Sequence, residues 1–319
     1  FGLGSFKALG GTYGVLKFIH HALKKEIGDE VSMKDIHAGK YSEQISKYTV
    51  TTATDGNHGR SVAFGAKLFG CKCQIYIHSE VSSGRQKAME DLEATVNRVS
   101  GNYDESLQIC IEDAGKNNWY VISDTSYEGY TKYPRYIMAG YNVMAEEIID
   151  QIKDRPLPTH VFLQGGVGSF PGAICGYFWE KFPGNNIKFV VVESEHAPCL
   201  IRSAQNNQMT SVNIKQETMM AGLSCGEPSL LGWEILRSGT DDFITINDSS
   251  IPGLMRLLAE NNLKIEAGES SVAGLAGLIE SMEDQKIAKA MGLNKESIVL
   301  LFGTEGATDP EIYRSIISE

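Results

Sequence analysis

Short β-branched runs alternate with longer amphipathic stretches along this whole chain, and that alternation constrains the fold more than any other feature. Tyr48–Ala53, Cys73–His78, Ala94–Val99, Trp119–Ile122, His160–Gln164, Lys188–Glu193, Asp242–Ile246 and Ser297–Phe302 read as strands. Helices are predicted over residues 8–26, where Leu9, Tyr13, Leu16, Ile19 and Leu23 recur at helical spacing, and over Arg60–Phe69, Ser83–Glu93, Tyr103–Asn117, Tyr136–Ile152, Ala173–Lys181, Leu254–Glu260 and Ser271–Met282. Residues 27–48 are polar and mixed. A strand followed by a helix and another strand is the pattern of a parallel βαβ unit, so an α/β fold with mostly parallel sheets is expected. Parallel sheets hold ligands at the carboxyl ends of their strands. The residues that follow each strand are therefore where chemistry is to be sought.

The chain has 319 residues, 42% of them hydrophobic and 22% charged, enough for one large or two medium domains with a substantial core. A formal charge of −11 argues against nucleic acid as a partner, because phosphate backbones call for clustered Lys and Arg. No apolar run approaches a membrane span, and no basic-then-apolar leader opens the chain. The first residue is Phe1 and a motif begins at once, so an N-terminal segment is expected to be missing. Six scattered cysteines do not form a disulfide framework, and Cys71-Lys72-Cys73 is too closely spaced for zinc. Free thiols in a cytoplasmic protein without a metal are the expectation.

Several strand ends carry informative residues. Gly165-Gly166-Val167-Gly168-Ser169 joins a strand to a helix, where converging N–H groups and the helix N-terminus favour a phosphate; a plain tight turn is the alternative. Gly166 and Gly168 also start a dinucleotide fingerprint, with Glu193 ending the next strand, but Pro171 occupies the third glycine position. In Asp55-Gly56-Asn57-His58-Gly59, Asp55 reads as a helix cap, Asn57 as a hydrogen-bonding partner for a planar cofactor, and His58 as a structural histidine. Asp124 ends a strand before a loop with Tyr127, Tyr130 and Tyr133, and suits a cationic substrate group or a turn. Thr304, in Gly303-Thr304-Glu305-Gly306, offers an uncharged hydroxyl, and 266–271 looks like a loop leading into a helix cap. At the opening, Gly4-Ser5-Phe6-Lys7-Ala8-Leu9-Gly10-Gly11 sets one lysine after an aromatic residue; burial there would lower its pKa and make its amine a nucleophile for an aldehyde cofactor.

Taken in order, Ser5-Phe6-Lys7, the 55–59 turn, the glycine turn 165–169, Val192-Glu193, 266–271 and 303–306 resemble the fold type II pyridoxal-phosphate enzymes, the tryptophan synthase β and threonine dehydratase group. The resemblance covers nearly the whole chain. It implies two three-layer α/β/α domains with the cofactor in the cleft between them: residues 1–51 with 142–319 as the large domain and 52–141 as the small one. It also implies that Lys7 carries pyridoxal 5'-phosphate, that Asn57 meets its 3' oxygen, that Gly165, Gly166, Val167, Gly168 and Ser169 cradle its phosphate, and that Thr304 or its neighbour Gly303 meets the ring nitrogen. Asp55 stands where the group usually has a neutral residue. With Met220-Ala221-Gly222-Leu223-Ser224-Cys225-Gly226-Glu227-Pro228-Ser229, it implies the branch that removes ammonia from 2,3-diaminopropionate, releasing pyruvate and a second ammonia. Lys7 and Asp55 would then serve opposite faces of Cα, admitting both D and L substrates, while Asp124 would favour the ammonium form of the leaving group. The group is commonly homodimeric. A serine or threonine dehydratase, a nucleotide-binding oxidoreductase and a cofactor-free binding protein are the competing readings, and the approach of Cys199 to Cys225 is left open.

Overall fold

The structure, a computed structural model, describes residues 2–54, 56–101, 103–260, 262 and 264–318. It divides into two compact units. The first unit runs to Asp124 and adds Tyr130–Gly140; the second holds Thr125–Gly129 and Tyr141 onward.

In chain order the first unit contains α1 (Lys7–Ile27), α2 (Met33–His37), α3 (Ser42–Ile45), β1 (Thr49–Ala53), α4 (Asn57–Phe69), β2 (Lys72–Ile77), α5 (Ser83–Glu90), β3 (Thr95–Arg98), α6 (Tyr103–Asn117) and β4 (Tyr120–Val121). Helix α7 (Lys132–Ile152) begins in this unit and ends in the other. The second unit continues with β5 (His160–Gln164), α8 (Ser169–Lys181), β6 (Lys188–Ser194), α9 (Cys199–Asn206), α10 (Leu230–Gly239), β7 (Asp242–Ile246), α11 (Ile251–Glu260), α12 (Ala273–Glu283), α13 (Gln285–Met291), β8 (Val299–Leu301) and α14 (Pro310–Ser318).

Each unit is built on a four-stranded parallel sheet, ordered β3-β2-β1-β4 in the first and β7-β6-β5-β8 in the second. The inner strands β1 and β5 are buried along their whole length, as strands covered on both faces must be. The threonines of β1 are tolerated there because their hydroxyls are satisfied locally: Thr51 Oγ1 lies 3.3 Å from Cys110 Sγ, and Thr52 Oγ1 donates to the Ala53 carbonyl. In both sheets the chain steps outward for three strands and then returns to the other side of the first. That reversal places a topological switch point between β1 and β4 and another between β5 and β8, the positions where open α/β sheets receive ligands.

Helix α1 crosses α4 at close range. A β-carbon on Gly11 would lie 2.0 Å from Ser61 Oγ, and one on Gly65 would lie 3.0 Å from the Thr12 backbone. Glycine on both sides of the crossing lets Ser61 Oγ donate to the Lys7 carbonyl at 2.6 Å and Thr12 Oγ1 donate to the Ser61 carbonyl at 3.3 Å. This packing carries α1 into the first unit. The expected division of the chain is thereby corrected: its boundary after residue 51 falls inside β1, and residues 1–51 cluster with the first sheet.

Most predicted elements form, with shifted ends. Helix α8 starts at Ser169 rather than Ala173, because Pro171 falls in its first turn, where no N–H is needed. Helix α7 starts at Lys132 rather than Tyr136. Helices α2, α3, α9, α10, α13 and α14 are not among the predicted elements. Among the described residues no helix is long and apolar enough to cross a membrane, no cluster of three His, Cys, Asp or Glu side chains could hold a metal ion, and all six cysteines are free thiols.

Candidate active site

Lys7 opens α1, and its backbone is held by Ser61 through the helix crossing. Its Nζ is paired with Asp124 Oδ2 and lies 5.4 Å from the Phe6 ring centroid. The side chains are 19% and 11% exposed. A cation at a helix N-terminus faces the positive end of the dipole, so the carboxylate offsets an unfavourable placement. The apolar burial expected for Lys7 is therefore corrected: its amine sits against a carboxylate.

Asp124 follows β4, the strand beside β1. Tyr130 fixes this exit: its hydroxyl donates to the Val121 carbonyl at 2.9 Å and accepts from Ser123 N at 3.0 Å. Burial opposes a charge on Asp124, but the facing His58, the Lys7 ammonium and the Lys7 hydrogen bond outweigh it and hold the carboxyl well below the usual carboxylate range.

His58 corrects another expectation. It was read as a structural residue of the helix start, yet its buried ring faces the same carboxylate, with Nδ1 3.8 Å from Asp124 Oδ2. Its Nε2 pairs with the Ile122 carbonyl at 2.7 Å, which requires the ring to donate there. In the neutral ring Nδ1 is then a bare acceptor turned toward Asp124. Burial pushes the His58 pKa down, against the pull of Asp124, and Lys7 lowers it further. At neutral pH the cluster is thus an ammonium, a carboxylate and a neutral imidazole.

The turn between β1 and α4 contributes Asn57, the first helical residue. Asp55 lies outside the described residues. At the head of α4, Thr54 Oγ1 accepts from Gly56 N and Gly59 N at 3.0 Å each. Threonine at the end of a β-branched strand hides this cap from pattern reading, since it continues the strand signal.

In the second unit the glycine turn closes β5. Gly166 and Gly168 have φ of +60° and +93°, and a β-carbon on Gly165 would meet Glu193 Cγ at 2.6 Å. Val167 O accepts from Ser229 N at 2.7 Å, and the Gly165 N–H goes to Val192 O at 2.8 Å. The N–H groups of Gly166 and Val167 make no hydrogen bond among the described residues. With α8 starting at Ser169, the turn offers donors and a helix N-terminus to one anion.

Glu193 is spent differently from the dinucleotide reading. Only 1% exposed, it accepts from Leu200 N at 2.9 Å and Ile201 N at 2.7 Å, so it caps α9 and is not available for a ribose. Burial pushes its pKa up to about 7, against those two amides and the Cys199 thiol. Thr304 is 4% exposed just beyond β8, 3.5 Å from Ser271 Oγ. Gln164, the last residue of β5, donates to the Ser271 and Phe302 carbonyls at 3.0 and 2.7 Å, tying the 303–305 segment to the glycine turn.

The first unit thus carries a lysine–carboxylate pair beside its switch point, and the second carries an anion cradle at the end of β5. The chain belongs to the family of pyridoxal-phosphate dependent enzymes, whose family model matches residues 2–303. It is 36% identical over 327 residues to diaminopropionate ammonia-lyase of Escherichia coli, covering 100% of this chain and 81% of that protein, and 37% identical over 328 residues to diaminopropionate ammonia-lyase of Salmonella typhimurium, covering 99% and 81%. A probable D-serine dehydratase of Carboxydothermus hydrogenoformans is 27% identical over 290 residues, 86% of this chain and 66% of that protein. The crystal structure of the Escherichia coli ammonia-lyase in complex with an aminoacrylate-PLP azomethine reaction intermediate superposes with a TM-score of 0.87 at 35% identity, covering 99% of this chain and 80% of that one. The structure of the same protein with D-serine gives the same TM-score.

Proposed function

We propose that this chain is a lyase that eliminates ammonia from 2,3-diaminopropionate, one water then hydrolysing the resulting imine to yield pyruvate and a second ammonia. The observation that carries the reading is the buried Lys7–Asp124–His58 cluster, an amine held beside a group that stays ionised. The relatives described above, named for this reaction, support the same substrate.

The residues fit the cofactor. Gly166 and Val167 have amides that would receive its phosphate, Lys7 would bear its aldehyde carbon, Asn57 would meet its 3' oxygen, and Thr304 would offer its ring nitrogen an uncharged partner. Bound, the cofactor supplies an electron sink that acidifies the Cα hydrogen of an amino acid joined to it.

The chain's own groups do the rest. Lys7 Nζ takes the Cα proton on one face and Asp55 on the other, so both D and L substrates are admitted. The Cβ–N bond breaks with its electrons leaving on nitrogen, and a β-amino group departs well only as an ammonium. Asp124, ionised at any physiological pH, favours that form. Neutral His58, tied to the Ile122 carbonyl, adds no competing charge beside the carboxylate.

We also propose that the enzyme is cytoplasmic, in keeping with its six free thiols, and that it works as a homodimer. Borohydride reduction of the holoenzyme followed by peptide mapping tests the central assignment. A cofactor-derived mass on Lys7 is expected; a label on another lysine overturns it.

A further inference from the structure

Lys17 and His21 of α1 take no part in the chemistry at Lys7. Helix α7 lies against α1 where glycine lets the two backbones approach. A β-carbon on Gly140 would lie 2.4 Å from the Leu9 carbonyl oxygen, and one on Gly14 would lie 2.9 Å from Ile137 Cγ1. Beside this crossing Tyr13, Lys17 and His21 follow one another at four-residue spacing on α1, and Lys132 and Tyr136 do so on α7. Tyr136 joins the two rows. Its ring centroid lies 6.4 Å from that of Tyr13, 5.5 Å from that of His21 and 4.6 Å from Lys17 Nζ, and its hydroxyl lies 3.5 Å from His21 Nε2. All five residues belong to the first unit. Lys17 lies about 15 Å along the helix axis from Lys7, so this cluster is separate from the lysine–carboxylate pair.

The cluster gathers positive charge without a carboxylate. Half-buried Lys17 and exposed Lys132 meet aromatic faces, Tyr136 at 4.6 Å and Tyr133 at 5.9 Å, and neither forms an ion pair among the described residues. Burial, then Lys132 and Lys17, hold the His21 pKa below its ordinary value, and no acidic side chain pulls it back. Elsewhere this chain, with 40 acidic residues against 29 Lys and Arg, pairs its exposed lysines: Lys40 with Asp35, Lys47 with Glu43, Lys67 with Glu93 and Lys87 with Asp91. Like charges gathered without a counter-charge repel one another, and an anion seated among them relieves that cost. The donor set selects the anion. Two ammonium groups are point charges with rotatable donors, and a half-buried imidazole adds a hydrogen bond. They suit the tetrahedral oxygens of a phosphoryl group, whereas a planar carboxylate is matched best by an arginine fork.

We propose that Lys17, His21 and Lys132 form a second anion site, in addition to the glycine turn 165–169, that binds the phosphoryl group of a small phosphorylated ligand.

The test is a calorimetric titration in phosphate-free buffer with inorganic tripolyphosphate, ATP and citrate. Holoenzyme is used so that the cofactor's own phosphate site is filled. The wild type should bind one tripolyphosphate per chain, ATP at least as tightly, and citrate at least about tenfold more weakly. Lys17→Met should weaken tripolyphosphate at least about tenfold, the range of one charge-assisted contact, and Lys17→Arg should restore most of the loss. Lys132→Met, at an exposed position, should weaken it about threefold. The Lys286→Met, Lys289→Met double variant removes two exposed charges from α13 and should leave the affinity unchanged. The His21 imidazole resonance, assigned with His21→Gln, should shift on binding, and cofactor-dependent turnover should be the same in every lysine variant. Absence of saturable binding overturns the proposal. So does equal weakening in Lys17→Met and the α13 double variant, which assigns the effect to general charge, and so does citrate binding as tight as that of tripolyphosphate.

Discussion

Replacing Asp124 by Asn keeps the shape of the side chain and removes the charge that faces Lys7. The ammonium is then left partly buried beside a neutral amide and an imidazole whose pKa is already pushed down by burial. Breaking one side of a buried ion pair costs roughly 3–5 kcal/mol. Lys7 retains 19% exposure, which places this pair at the low end, about 3 kcal/mol. For a protein of this size roughly 2–4 °C accompany each kcal/mol, so the cofactor-free variant should melt about 6–12 °C lower. The pH dependence has a definite sign. The carboxyl is held below its ordinary range, so its contribution is complete above the unfolded-state pKa of about 4 and is lost as the pH falls through the lower folded-state value. The deficit of Asp124→Asn should therefore be constant between about pH 5 and 8 and shrink only in stronger acid. Denaturant melts of Asp124→Asn, Lys7→Met and the double variant give the coupling directly. A coupling of about 2 kcal/mol or more is expected. Additivity within about 0.5 kcal/mol would refute the pairing and with it the account of how Lys7 is held.

Gly165→Ala should lower cofactor affinity at least tenfold and destabilise by about 1–3 kcal/mol, because the added methyl meets Glu193 Cγ at 2.6 Å and that carboxylate is pinned by two amides; equilibrium dialysis and thermal melts check both. Glu193 has a raised folded-state pKa, so its contribution is present below the ordinary value of 4.5 and is lost as the pH rises to about 7; wild-type stability should fall relative to Glu193→Gln across that window by about 3 kcal/mol at most. Thr54→Val keeps volume but removes the acceptor for two amides at the head of α4, and melts should show a loss of about 1 kcal/mol.

The two sheets were legible because parallel strands buried on both faces write their signal locally, as in Val161–Gln164 and Phe189–Val192. Helices α9 and α10 were not, for different reasons. Helix α9 is eight residues long and is capped by Glu193 from the end of the preceding strand, where an acidic residue reads as part of the strand; α10 carries Gly232 and ends in Gly239. The candidate site divides the same way. Lys7, Asp124 and the glycine turn each stand out from their immediate neighbours. That Lys7 meets Asp124, 117 residues away, depends on β4 pairing with β1 and on the α1–α4 crossing, and neither is written in a window around either residue. His58 reads as a structural histidine for the same reason: only the placement of β4 beside β1 sets it near a carboxylate.

The central claim is that this site is built to expel an ammonium. Pyruvate release by the holoenzyme from D- and L-2,3-diaminopropionate, set against serine and threonine, tests it most directly. The account predicts that both diaminopropionate isomers are turned over with kcat/KM at least about tenfold above either hydroxy amino acid, a preference of about 1.4 kcal/mol in the transition state. Faster turnover of serine or threonine would contradict it.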